Sequence, residues 1–179
     1  MERVTLLDIF HHPIAQKYVK RSGLAHAIST AKIAYEYAVN RNVNPDLAAK
    51  AAFLHDIGHF RWYKNGSWDY SQYQENDIHA IKGAERAHKL LVRLGEDRVN
   101  AKKIALAILL HTDSYLPDGN LKLEPLQEVV ALADKADEEP GGSHHYKVIS
   151  DENAIKQLKE LDRKIDKLNM MQSNGQPAS

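Results

Sequence analysis

Residues 53–60 read FLHDIGHF, a His-Asp pair and a further histidine set in an apolar run, with Gly58 between them. Either His55, Asp56 and His59 bind a metal, or they mark the polar end of a helix. The stretch before them, NPDLAAKAAFLHDIG, has Asn44 as a candidate N-cap and Pro45 at the first helical position. It then runs apolar on nearly every side, the pattern of a buried helix. Neighbours on a helix differ by about 100°, so His55 and Asp56 can both face one ion at a helix end. Gly58 is expected to permit the turn that follows.

Outward from this segment the apolar residues recur at helical spacing almost throughout, which predicts an all-α protein. A helix or helix pair is expected over 4–20, broken near His11, His12 and Pro13 because proline removes a donor and clashes with the preceding turn. In LAHAISTAKIAYEYAVNR, Ala27, Ala31, Ala34 and Ala38 form a stripe that lets another helix come close, with His26 beside it. After an aromatic loop containing Trp62, Tyr63, Trp68, Tyr70 and Tyr73, a helix is expected from Asp77 to about Leu94, stopped by Gly95. Further helices are expected over 97–111, from Pro125 to just before Pro140, and over 151–170. Residues 171–179 have the composition of a disordered tail. The 179 residues suit one domain, taken as 1–170.

Several function classes are excluded at this level. Lys plus Arg (24) balance Asp plus Glu (24), which removes any global pull toward nucleic acid or an anionic membrane. No run approaches a membrane span and the start lacks signal-peptide features, so a soluble, cytoplasmic protein is expected. With no cysteine, any metal must be held by histidines and carboxylates.

Five helices each direct an ionisable group inward. His55 is in register with Leu47, Ala48, Ala51 and Ala52; His111 with Ile104, Ala107 and Ile108; His79 with Gly83, Ala87 and Leu90. His26 borders the alanine stripe, and Asp134 follows Leu126 and Val130 at intervals of four. Any one of these alone is more often a satisfied core residue. Together they change the balance, because burying Asp56 and Asp134 uncompensated costs several kcal/mol and no Lys or Arg falls on those stripes. A divalent cation meets that need, and imidazoles with carboxylates suit Zn, Fe, Mn or Ni.

The order His26, His55-Asp56, His79, His111, Asp134, carried by AAFLHDIGH, HAIKGAERA, AILLHTD and LADKAD, resembles the HD-domain superfamily of metal-dependent phosphohydrolases over about 22–138. The resemblance implies a bundle of about six to seven helices and one metal on His26, His55, Asp56 and Asp134. It implies a second on His79 and His111 with Asp56 bridging, the ions being Fe, Mn, Zn, Ni or Co. The layout is similar to bacterial HD hydrolases that split diadenosine tetraphosphate, although the stretch after Asp134 departs from theirs. Two such ions lower the pKa of a bridging water and neutralise an attacked phosphate. The implied reaction is hydrolysis of a phosphoester or phosphoanhydride in a small phosphorylated compound, a nucleotide before a protein or nucleic acid. The rival readings are a di-iron oxygenase of a small polyol or phosphonate, and a non-catalytic regulatory HD domain.

Secondary candidates follow. Asp137, one turn past Asp134, could take its place as ligand. His59 stands where many family members carry Lys or His near the substrate phosphate, so with Asp56 it is a catalytic candidate; a helix-end residue facing solvent is the bland alternative. Arg61, Lys82 and Lys135 could clamp phosphate oxygens, though in a chain with 27% charged residues such neighbours are often only solvated. The aromatic loop either stacks on a base or caps the core, and His144 with His145 could form a lid. The chain could act as a homodimer.

Overall fold

The computed structural model describes residues 3–59, 63–64, 67–68, 71, 77–112, 121–138 and 147–173. The expected N-terminal pair is two helices, α1 (Leu6–His11) and α2 (Pro13–Ser22), separated at His12. Pro13 is therefore not inside a helix but starts one, where its missing N–H costs nothing. His12 ends α1 and caps α2, its side chain accepting from the Ile14 amide at 3.2 Å.

The alanine-rich segment forms α3 (Leu24–Asn40), and the FLHD segment forms α4 (Pro45–Leu54), capped by Asn44, whose side chain accepts from the Asp46 and Leu47 amides. With Ala27, Ala31, Ala34 and Ala38 all buried, α3 lies close along α4. A two-residue antiparallel hairpin pairs Tyr63–Lys64 (β1) with Ser67–Trp68 (β2). It stands where only a loop was expected, and Asn65-Gly66 between the strands is the dipeptide that signals such a turn. The chain continues with α5 (His79–Leu94), ended by Gly95 in the left-handed conformation (φ 91°), and α6 (Arg98–Leu109), capped by Asp97. It closes with α7 (Pro125–Glu138) and α8 (Asp151–Ser173).

α4 lies at the centre, packed on α3, α6, α7 and the edge of α1, while α5 lies along α6 and α8 crosses α1 and α3. Ala48, Ala49, Ala51, Ala52, Phe53 and Leu54 of α4 are all buried, so its C-terminal end, carrying His55 and Asp56, delivers them between the surrounding helices. Among the described residues no helix is long and apolar enough to cross a membrane.

Helix α4 also buries a cation, away from the stripe that carries His55. Lys50 of α4 is fully buried, its ammonium 2.7 Å from Asp46 and 2.6 Å from Glu96. Asp46 also meets the Arg3 guanidinium at 2.9 Å, and Arg3 reaches Asp162 and Asp166 of α8. Asp162 in turn accepts from the Leu6 and Leu7 amides at the start of α1. This network ties α1, α4, α8 and the end of α5 together; its carboxylates compensate Lys50, so it offers no cation to Asp56 or Asp134.

Candidate metal centre

Past Leu54 the chain makes two tight turns, with the Ile57 amide bonded to the Leu54 carbonyl and the His59 amide to the Asp56 carbonyl. Gly58 does not serve here through a left-handed backbone; the described positive-φ glycines are Gly23 and Gly95. It permits a close approach instead. A Cβ on Gly58 would lie 1.8 Å from the His79 carbonyl oxygen and 2.3 Å from the Gly83 amide nitrogen. Gly83 reciprocates, since its Cβ would lie 3.2 Å from the His55 carbonyl oxygen. The two glycines let the His-Asp turn sit directly on the first turns of α5, which brings His79 beside Asp56. Arg86 reinforces the contact, donating to the Ile57 carbonyl while its guanidinium lies 3.6 Å from the Tyr18 ring centroid.

The structure brings His26, His55, Asp56, His79, His111, Asp134 and also His59 together. His26 and His55 meet Nε2 to Nε2 at 3.1 Å, and His79 and His111 do so at 3.2 Å. Asp134 Oδ1 lies 3.2 Å from His26 Nε2 and 3.1 Å from His55 Nε2. Asp56 stands between the two pairs. Its Oδ2 lies 3.3 Å from His55 and 3.7 Å from His26, while its Oδ1 lies 3.0 Å from His59 and 3.8 Å from both His79 and His111. Among the described residues, the groups able to hold an ion are His26 with His55 and Asp134, His55 with Asp56 and His111, and Asp56 with His59 and His79. The third is the most open: the His59 side chain is 28% exposed, whereas those of His55 and His111 are 0% and 2% exposed.

Each inward Nε2 is oriented by what the other ring nitrogen meets. His55 Nδ1 lies 2.7 Å from the Ala52 carbonyl and His111 Nδ1 lies 2.6 Å from the Ile108 carbonyl. His26 Nδ1 lies 2.6 Å from Asp137, and His79 Nδ1 lies 2.6 Å from Asp77. All four partners accept only, so the neutral rings carry their proton on Nδ1 and present Nε2 lone pairs to one another. Asp134 Oδ1, facing two such lone pairs, is buried without a hydrogen-bond partner. Acceptors crowded on acceptors require a cation among them, either a proton or a metal.

The protonation energetics agree. Burial opposes charge on His55, but Asp56 and Asp134 outweigh it and raise its pKa well above the usual histidine value. Burial likewise opposes charge on His26, and the carboxylates of Asp134, Asp56 and Asp137 together more than offset it. His79 is lowered by burial and by His59, and His111 is lowered to about 4 by burial and by His55. Burial disfavours the charged forms of Asp56 and Asp134, yet the neighbouring histidines, His55 foremost, hold both carboxyls well below their usual range. The carboxylates are therefore ready to bind a cation, and the cluster holds protons where a metal could replace them.

The secondary candidates separate clearly. Asp137 lies behind His26, on the nitrogen facing away from the cluster, rather than in Asp134's position. His59 does not simply face solvent: it bonds Asp56 and stacks on His79 with ring centroids 4.2 Å apart. Lys82 and Lys135 are exposed on the helices that carry His79 and Asp134. Arg61, Trp62, Tyr70, Tyr73, His144 and His145 lie outside the described residues, as do the side chains of Tyr63 and Trp68. Sequence alone does not reach Ser29 and Arg86. By sequence Asp137 reads only as an alternative ligand and Asp77 only as a helix start; the structure places each behind a histidine.

An all-α bundle with a buried His/Asp cluster able to take a divalent ion defines the class. The family model of the HD domain matches residues 23–139, and the chain belongs to that family. A curated relative, "Putative phosphohydrolase YueE" of Bacillus subtilis (strain 168), is 63% identical over 166 residues, spanning 93% of this chain and 94% of its own. A crystal structure at 1.45 Å resolution of a predicted HD superfamily hydrolase from an uncultured Thermotogales bacterium covers 98% of this chain and 95% of its own. Its TM-score is 0.54 at 20% identity, a likeness of fold.

Proposed function

We propose that this HD-type hydrolase is a two-metal phosphohydrolase that cleaves a phosphoester or phosphoanhydride bond in a small phosphorylated compound, a nucleotide in first place. The observation that carries the reading is the crowding of acceptors around Asp134 Oδ1, which a divalent ion relieves and which apolar packing does not. His26, His55 and Asp134 would hold one ion and His79 and His111 the other, with Asp56 shared, since its two oxygens face different histidine pairs. Bound there, a divalent pair supplies an activated water at neutral pH and charge neutralisation at phosphorus. The naming of the 63%-identical relative as a phosphohydrolase supports phosphate as the reacting group.

The chain's own residues account for the rest. His59, partly open to solvent and bonded to Asp56, is suited to hydrogen-bond a phosphate oxygen or protonate a leaving group. Lys82 and Lys135, exposed beside ligand-bearing turns, are suited to meet further phosphate oxygens, as is Arg61 by its position in the sequence.

The test is inorganic phosphate release from a nucleotide panel under anaerobic conditions with Mn²⁺ or Fe²⁺ supplied. Turnover there supports the reading. Turnover that appears only with O₂ identifies a di-iron oxygenase instead. If neither occurs and a nucleotide still raises the melting temperature, the domain is a binder.

A further inference from the structure

The four imidazoles of the centre are not supported alike. His55 and His111 each direct Nδ1 to a backbone carbonyl three residues earlier, Ala52 and Ile108, an arrangement built by their own helices. His26 and His79 direct Nδ1 to side-chain carboxylates. Asp137 is buried with 1% exposure, its Oδ2 lies 2.6 Å from His26 Nδ1, and its Oδ1 accepts from the Ser29 hydroxyl at 2.5 Å. Asp77 Oδ1 lies 2.6 Å from His79 Nδ1 and accepts from the His79 amide at 3.0 Å. One helix, α7, therefore grips both nitrogens of a single ring, with Asp134 on Nε2 and Asp137 on Nδ1.

We infer that Asp137 and Asp77 are positioning residues of the metal centre, one behind each facing histidine pair, which fix the His26 and His79 tautomers and strengthen Nε2 as a donor. A carboxylate partner draws the Nδ1 proton toward itself and leaves more electron density on Nε2 than a neutral carbonyl does. A burial argument points the same way. Asp137 is closed to water, and the His26 Nδ1 and the Ser29 hydroxyl both meet its carboxylate there. Each histidine pair thus combines one carboxylate-backed ring with one carbonyl-backed ring.

The inference rests on the reading that the cluster holds metal, and the experiment separates the two. Zn²⁺ is titrated calorimetrically into wild type, Asp137→Asn, Asp137→Ala, Asp77→Asn and Asp77→Ala, and the melting temperature of each metal-free protein is recorded. Loss of 10–100-fold in Zn²⁺ affinity is expected for the Ala variants, with partial recovery in the Asn variants, which keep an acceptor without charge. In proton spectra of the Zn²⁺-loaded protein, the His26 Nδ1–H resonance is expected at low field and to move upfield in Asp137→Asn, with the His111 resonance unchanged. A purely structural role would lower the melting temperature without moving that resonance. Wild-type affinity and an unmoved His26 resonance in Asp137→Asn overturn the inference alone, whereas a wild type that binds no Zn²⁺ overturns the metal reading on which it rests.

Discussion

Asp56 touches both histidine pairs, and His55 is the most enclosed ring of the cluster, so these two residues should matter most to ion binding. His55→Ala and Asp56→Ala are expected to lose bound metal and turnover while keeping a cooperative melt. Metal analysis alongside far-UV melting checks this; normal metal stoichiometry in both would remove the basis for the site. Gly58 gives a prediction of another kind. A methyl there would overlap backbone atoms of His79 and Gly83 that cannot yield, so Gly58→Ala should cost about 3 kcal/mol and separate His79 from Asp56. Denaturant unfolding measures the first effect and metal content the second. At this scale His55, His79, His111 and Asp134 were legible as candidates because each repeats the period of its own helix, His26 because it borders an alanine stripe, and Asp56 because it adjoins His55. The partners behind them were not: Asp137 is 111 positions from His26, and nothing in local spacing joins them. Gly58 invited reading as a turn residue because its true neighbour, Gly83, lies on another helix.

Helix boundaries were well marked where chemistry is local. Asn44 and Pro45 open α4, Asp97 opens α6 and Gly95 closes α5, all as their types suggest. Asn44→Ala should cost about 1 kcal/mol through loss of its bonds to the Asp46 and Leu47 amides, seen as a shift in the urea midpoint. α4 ends nearer His55 than the apolar run suggests, because from Leu54 onward the bonding pattern tightens. Lys50 was illegible for a related reason. Asp46 is one turn away, but Glu96, which completes its charge balance, is 46 positions distant. Lys50→Ala would leave two carboxylates facing a buried space and should cost about 3–5 kcal/mol in chemical denaturation. Metal content should not change, since the network is separate from the His/Asp cluster.

In the whole molecule, α3, α4, α5, α6 and α7 each contribute to the cluster or the turn beside it, so an ion there would pin the bundle from within. Chelation should therefore lower the melting temperature. At free metal 100-fold above its Kd the stabilisation is ~2.7 kcal/mol, or roughly 5–10 °C for a chain of 179 residues. An unchanged melt after chelator treatment of metal-loaded protein would contradict this. The cluster also has an inside and an outside. The rings of His26, His55, His79 and His111 are all nearly closed to water, whereas the ring of His59 is 28% exposed. Any ion entering such a chamber is then expected to pass His59, the ring of the cluster that stands open, so that this imidazole acts as a doorway rather than a wall.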